Sequence, residues 1–484
     1  MHKSMKKNAV LNGFRNILNL LFPLVTFPYI SKVLQVENLG GYNFSNSIVS
    51  YFILIAGLGI STYAIREGVN YKDDKRQFEQ FVSEIFTVNI FSMIFSYICL
   101  GVCLLFLKYL RSYSKLILLL SLQIFFITLG VEWIYAIYEE YKYITIRSII
   151  FKLISIMLIF MFVKSPNDIN NYAAITVFSS AGSSLLNLAH LRKYCKLHFA
   201  EIKRCLFHLK PILVIFASNV AIMIYVYSDT TMLGFQKNDY CVGIYSVSVK
   251  VYMIVKNLLS SVLLVTIPRI SLFYGQGMMC DFKVIVQRVF EYISIVLIPC
   301  ALGIFLLSEE IVIFISDITY IKAASSLRIL SISLLFCIIG WIYNQCILLP
   351  AKKERLILIS TIISAIVNVL LNYFLIPIFD ENATAITTMI SELIMLIMCM
   401  QYGKRICKIH IWTRNLKTIL LSCLPIVFLC FSIDKHILEL SNTFRLFVAV
   451  GSSIVVYTLS MILMKNEAVI KIMKQCIELI KTKR

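Results

Sequence analysis

Eight ionisable side chains of this sequence sit inside long apolar runs: Arg15, Glu132, Lys152, Asp229, Lys250, Lys256, Arg328 and Glu392. A charge at the centre of a bilayer costs at least about 2.5–3.5 kcal/mol on insertion scales, so such groups pair, reach for the interface or line a pathway. At helical spacing Arg15 shares a polar stripe with Asn12, Asn16, Asn19, Pro23 and Thr26. Asn43, Asn46, Ser47, Ser50 and Ser61 form a second polar face, and Ser218, Tyr225 and Asp229 a third. Lys250 groups with Ser246, Asn257, Ser260 and Ser261, flanked by Lys256. Two readings of these charges compete. In the bland one, Arg15, Lys152 and Arg328 snorkel to the headgroups, Asp229 and Lys250 form a structural ion pair, and the Ser/Asn stripes hold helices together. In the other, several Lys and Arg facing few carboxylates make a net positive cavity. That cavity suits an anionic headgroup, with phosphate foremost, because Lys supplies a point charge and Arg a bidentate fork.

The elements that must position these groups are membrane spans. The chain has 484 residues, 59% hydrophobic and 15% charged, with a mean hydropathy of +0.83. Soluble domains run at about 45–50% apolar and about 25% charged, which excludes a soluble enzyme and a disordered chain. Apolar stretches long enough to cross a bilayer as helices fall at 11–33, 42–64, 81–107, 116–138, 144–163, 172–191, 211–234, 244–266, 288–308, 323–349, 356–377, 385–402, 418–433 and 445–464. The fold class expected is therefore an all-α integral membrane protein of about 14 transmembrane helices. The first span follows Lys3, Lys6 and Lys7 but lacks an A-x-A-like cleavage site and carries Arg15, Pro23 and Pro28, so it is expected to be retained.

With the N-terminus in the cytoplasm, alternate loops hold 32 and 7 Lys+Arg. That asymmetry is a positive-inside signal with both termini cytoplasmic, and it accounts for the net charge of +20 without nucleic acid. The 14 Cys lie mostly in apolar runs with no CxxC, as small hydrophobes rather than metal ligands or disulfides. No loop is large enough for a nucleotide-binding or glycosyltransferase domain, and no GxxxxGK[ST] occurs. The chain is thus expected to be no enzyme, to need no cofactor or metal, and to act within its helix bundle. A shift of 203 residues aligns Gly40 with Gly243, Tyr42 with Tyr245, Arg66 with Arg269 and Tyr71 with Tyr274. Six spans separate the copies, so the halves share one orientation, as in transporters built from parallel repeats. The expected organisation is a six-helix lobe at 1–191, a basic linker at 192–210, a second six-helix lobe at 211–403, two additional helices at 404–464, and a basic tail at 465–484.

The segment FPLVTFPYISKVLQVENLGGYNFSNSIVSYFILIAGLGISTYAIRE (22–67) resembles the amino-terminal signature of polysaccharide (O-antigen or capsule) repeat-unit flippases, within the multidrug/oligosaccharidyl-lipid/polysaccharide exporter superfamily. YSDTTMLGF (227–235), VGIYSVSVKV (242–251) and VTIPRIS (265–271) resemble its second half. Gln35 stands where that family has Gly in an SRxLG-like turn, and Lys32 where it has Arg. The resemblance implies twelve core helices in two lobes plus two at the C-terminus, in a bacterial cytoplasmic membrane. It further implies alternating-access transfer of an undecaprenyl-pyrophosphate-linked oligosaccharide to the outer leaflet, driven by an ion gradient. Expected partners are that substrate, membrane lipids, and the polysaccharide polymerase and chain-length machinery. Arg15, Lys250, Lys256 and Arg328, with Asn19 and Asn257, would hold the substrate. Asp229, Glu132 and Glu392 would serve as gate or ion-coupling groups. The alternative is a cation-coupled multidrug antiporter of the same superfamily, which should favour embedded carboxylates over lysines.

Overall fold

The computed structural model describes the backbone of residues 5–436 and 442–471, and the side chains of 22–432 and 442–471. Helices account for every long element among them, and no strand occurs in that range. Among the described residues, eleven helices are long and apolar enough to cross a membrane. Their apolar exteriors fit hydrocarbon: Phe106, Phe207, Val265, Phe428 and Leu463 are all exposed.

The chain divides into two compact units, Met1–Gly243 and Ile244–Arg484. The first contains α1 (Met5–Gly57), α2 (Ile60–Gly68), α3 (Lys75–Phe106), α4 (Lys108–Arg111), α5 (Ser114–Leu129), α6 (Glu132–Ile137), α7 (Tyr141–Phe162), α8 (Ile169–Leu191) and α9 (Ile202–Gln236). Helix α1 packs on α3, α5, α7 and α9. Helix α10 (Asp239–Leu264) starts at the end of this unit and runs into the second. There follow α11 (Ile267–Gly275), α12 (Met279–Leu306), α13 (Ser308–Ile315), α14 (Ala323–Trp341), α15 (Glu354–Phe379), α16 (Glu381–Gly403), α17 (Arg414–His436) and α18 (Asn442–Leu463). A π-helical turn, Ile342–Leu348, extends α14. Within the second unit α14 packs on α16 and α12, and α17 on α18 and α12.

Polar side chains outside the stripes hold neighbouring helices together. Asn89 Nδ2 and Ser92 Oγ both donate to the Ala56 carbonyl, at 2.9 and 2.6 Å, and Ser96 Oγ donates to Phe52 O at 2.7 Å. These bonds tie the last turns of α1 to α3. Ser47 and Ser50 bond back to their own helix, to Phe44 O and Asn46 O. Outside the spans Asp74 caps α3. Its carboxylate accepts the Gln77 and Arg76 backbone N–H groups, and these bonds, Gln77's first, pull its pKa below the usual carboxylate value.

The aligned motifs occupy corresponding positions in the two halves. In each, the second span ends in a short separate helix bearing the aligned arginine, Arg66 on α2 and Arg269 on α11. The aligned glycines meet their neighbours at backbone distance. A Cβ on Gly40 would run into the Asp239 carbonyl and the Gly243 nitrogen, and one on Gly243 into the Val36 carbonyl. Only hydrogen fits at either position.

A straight helix of the length of α1 would be about 80 Å long, far beyond a bilayer core of about 30 Å. It breaks at Gln35, which has φ 63° and ψ 175°, a region almost confined to glycine. The SRxLG-like turn thus keeps its glycine backbone although the residue has changed to Gln. Replacing Gln35 by Gly is expected to stabilise the protein by about 1 kcal/mol, the relief of that strain less the added freedom of the unfolded chain. The check is thermal unfolding in detergent, where the Gln35→Gly variant should melt above the parent and Gln35→Val below it.

Candidate functional site

The first unit contains a polar cavity of about 340 Å³ whose walls include Tyr42, Glu132, Arg147, Lys152, Tyr172 and Thr176. Six serines, Ser148, Ser155, Ser179, Ser180, Ser183 and Ser184, complete its polar lining. Two faces supply them at helical spacing: Arg147, Ser148, Lys152 and Ser155 on α7, and Tyr172, Thr176, Ser179, Ser180, Ser183 and Ser184 on α8. Glu132 reaches the cavity because the chain breaks between α5 and α6, where Val131 takes φ 37°. Asn187 satisfies that break. Its Nδ2 donates to the Gly130 carbonyl at 2.7 Å, its Oδ1 accepts from Arg147, and its own carbonyl accepts from the Tyr135 hydroxyl.

Arg147 is the most deeply placed charge here, its side chain only 2% exposed. It donates to Glu132 Oε2 at 2.7 Å, while its Nε and the hydroxyl of Ser155 are buried with no hydrogen-bond partner among the described residues. Lys152 sits over the Phe22 ring, 5.7 Å from its centroid. Two cations thus face one carboxylate among hydroxyl groups. Such a wall can donate hydrogen bonds to sugar oxygens and balance an anionic group.

The second unit brings together two expected residues. Lys256 Nζ lies 3.1 Å from Glu392 Oε1, with the side chains 23% and 7% exposed. The Tyr252 hydroxyl donates to the same carboxylate oxygen at 3.3 Å, and the ammonium sits over its ring, 5.5 Å from the centroid. Arg328 is placed elsewhere. It bonds Glu309 at 2.7 Å in a pair largely open to the surroundings, 41% and 52% exposed. Lys250 is half-buried on α10 and Asn257 is exposed on the same helix. Asp229 is buried on α9 in the first unit, near Thr231, whose hydroxyl bonds Ser47 Oγ at 2.9 Å. The side chains of Arg15 and Asn19 lie outside the described residues.

Sequence reasoning missed Arg147, although it lies inside the apolar run at 144–163 and on α7, which begins at Tyr141. The signal available was its continuity with the Ser148, Lys152 and Ser155 stripe. Glu84 and His208 were also passed over. They lie 2.8 Å apart and are both buried, because α9 starts at Ile202, inside a stretch that read as loop. The spacing of Cys205, His208 and Ile212 marks the buried face of those first turns.

Because Glu392 and Lys256 are mutually compensated, removing one leaves the other charged in an apolar setting. Lys256→Met and Glu392→Leu are each expected to destabilise the protein by about 3 kcal/mol, and the double variant by clearly less than the sum of the two. Denaturation midpoints of the three variants in lipid nanodiscs would measure that coupling.

Comparison with known proteins places these features in context. A model of the family described as "Polysaccharide biosynthesis protein" matches residues 5–273. A Shigella dysenteriae protein named for O-antigen transport is 25% identical over 410 residues, covering 83% of this chain and all of that protein. A similarly named protein of Escherichia coli K12 is 26% identical over 287 residues, covering 55% of this chain and 65% of its own. Among solved structures, the lipid II flippase MurJ in an inward closed conformation superposes with a TM-score of 0.73 at 16% identity, covering 95% of this chain and 98% of its own. An inward-facing multidrug MATE transporter gives 0.58 at 13% identity, covering 80% and 97%. These two likenesses establish the fold.

Proposed function

Since the chain belongs to the polysaccharide biosynthesis protein family, we propose that it is a flippase that carries a lipid-linked oligosaccharide across the bacterial cytoplasmic membrane for surface polysaccharide assembly. The substrate is an undecaprenyl-pyrophosphate-linked repeat unit, and an ion gradient drives alternating access. The chain crosses the membrane fourteen times with both termini cytoplasmic, in keeping with the 32 to 7 division of basic residues. It hands its product to the polymerase and chain-length machinery.

The observation that carries this reading is the first-unit cavity, hydroxyl-lined and with cations in excess of carboxylates. A lipid-linked sugar also needs an apolar surface for its tail, and the second unit has one. Ile295, Pro299, Ile304, Ile426, Val450 and Ile454 of α12, α17 and α18 line a groove of about 440 Å³. A pyrophosphate would draw on the cationic groups, with Lys250, Lys256, Arg15 and Arg328 as further contributors and Asn19 and Asn257 as amide partners. Asp229, Glu132 and Glu392 are the candidates for gating or ion coupling. Glu132 and Glu392 are engaged by Arg147 and Lys256, which suits them poorly to exchange a drug cation and favours an anionic cargo over the antiporter alternative.

Proteoliposomes carrying lipid-linked oligosaccharide in both leaflets, probed with an impermeant sugar-modifying reagent, test the proposal. With active protein the modified fraction should pass beyond the outer pool. The Arg147→Gln/Lys152→Gln variant should slow that passage by at least about tenfold, the scale of one lost charge-assisted hydrogen bond, and so should the Lys250→Gln/Lys256→Gln variant. No passage under either a proton or a sodium gradient, with cationic dyes transported instead, would favour the antiporter.

A further inference from the structure

Three helices of the first unit converge on one imidazole. His208 of α9 places Nδ1 2.8 Å from the Tyr63 hydroxyl on α2, and Nε2 2.8 Å from Glu84 Oε2 on α3. The other Glu84 oxygen accepts from Gln80 Nε2 at 2.9 Å. All three residues of the triad are buried, among Phe81, Ile85, Cys205 and Ile212. Neither the charge-bearing spans nor the polar cavity accounts for this arrangement.

We propose that Tyr63, Glu84 and His208 form a proton-binding site that fixes the first turns of α9 to α2 and α3. The proposal rests on the transport function above and assigns the coupling ion as a proton. With Glu84 ionised, Nε2 carries hydrogen and donates to it, so a neutral His208 accepts the Tyr63 hydroxyl proton at Nδ1. A proton arriving from water bonds to the Nδ1 lone pair, and the Tyr63 oxygen turns from donor to acceptor. Both contacts survive, and the Glu84 contact becomes a charge pair. The site therefore loads and unloads one proton without being dismantled, and it holds α9 more tightly when loaded.

Protons have a way in. A cavity of about 340 Å³ lies beside the triad, lined by Tyr71, Gln77, Gln80, Arg204 and Phe207 together with Glu84 and His208. On the proposed orientation it lies at the cytoplasmic end. The other ionisable neighbours include Arg66, whose guanidinium lies over the Tyr63 ring, 5.8 Å from its centroid. Arg66 and Glu67 of α2 pair with each other at 3.0 Å, and Arg204 of α9 lies 3.6 Å from Glu201. From the segment before α9, the Lys196 backbone N–H bonds Glu79 Oε1 of α3, and His198 lies 3.2 Å from Ser83 Oγ. Tyr71 stacks on Phe81. Among these groups, only Glu84 contacts the ring of His208 as a carboxylate.

Cys205 reports the docking directly, because its buried thiol lies 3.6 Å from the Glu84 carbonyl, between α9 and α3. Its alkylation by N-ethylmaleimide would be followed by peptide mass spectrometry in the full-length protein in nanodiscs, at pH 6 and pH 8.5. Ratios of variant to parent at one pH cancel the intrinsic thiolate chemistry. At pH 6, His208→Gln and Glu84→Gln should label about tenfold faster than the parent, the scale of one charge-assisted hydrogen bond, and at pH 8.5, where the neutral ring still bonds both partners, the ratio should be clearly smaller. Tyr63→Phe, which keeps the ring, should move the same way and decides the matter if the other variants do not insert. Ratios that are equal at both pH values, or that stay at one, overturn the proposal and leave a structural contact. In proteoliposomes an imposed proton gradient should speed flipping by the parent but not by His208→Gln, and an unaltered gradient response in that variant would also overturn it. If no protein flips the lipid, the transport reading fails while the alkylation ratios still decide the proton site.

Discussion

Charge in hydrocarbon has to be compensated, and most of the internal architecture follows from the ways this chain meets that demand. Arg147 is balanced by Glu132 and by the Asn187 amide, Lys256 by Glu392, and Arg445 by Glu310 across 2.7 Å between α18 and α13. The Lys256–Glu392 and Arg445–Glu310 pairs join helices distant in sequence and the Arg147–Glu132 pair joins consecutive ones, so the same contacts that neutralise charge also tie elements together. In the cavity of α7 and α8, Arg147 and Lys152 share one polar wall with Glu132. The unpartnered Arg147 Nε and Ser155 hydroxyl lie at that place. Buried donors left unmade are costly, and a binding site is where such a cost has a use.

The apolar runs made the helices legible, because hydropathy and length alone fix a span in lipid. Legible too were Gly40 and Gly243, whose hydrogen atoms face neighbouring backbone. Pairing was not. Lys256 and Glu392 both stood out in the sequence, but their meeting depends on how α10 and α16 pack, which no local pattern encodes. Helix ends were the other failure. His208 lies in the second turn of α9, which continues the polar stretch before it, so composition, opening that span at 211, places the boundary too late. Gln35 is the instructive exception, since the turn motif gave the backbone shape correctly although the residue that normally permits it was missing.

The two units carry complementary chemistry. The first concentrates hydroxyl and cationic groups around its cavity, and the second offers apolar grooves beside α12, α17 and α18. An amphiphile with a sugar–phosphate head and a long hydrocarbon tail presents the same division. That likeness is the ground on which we prefer a lipid-linked glycan to a compact organic cation as the proposed cargo. It also gives α17 and α18 a purpose, since Tyr457 of α18 donates to the Ile295 carbonyl at 2.8 Å and so holds one wall of the groove to α12.

Cargo binding is the most direct test of that match. Native mass spectrometry of the protein released from membranes making surface polysaccharide would weigh what it retains. The expected result is one polyprenyl-pyrophosphate-linked oligosaccharide per chain, displaced by added lipid of the same class and diminished in the Arg147→Gln/Lys152→Gln variant. Retention of cationic amphiphiles in its place, with no affinity for the glycolipid at any concentration tried, would contradict it.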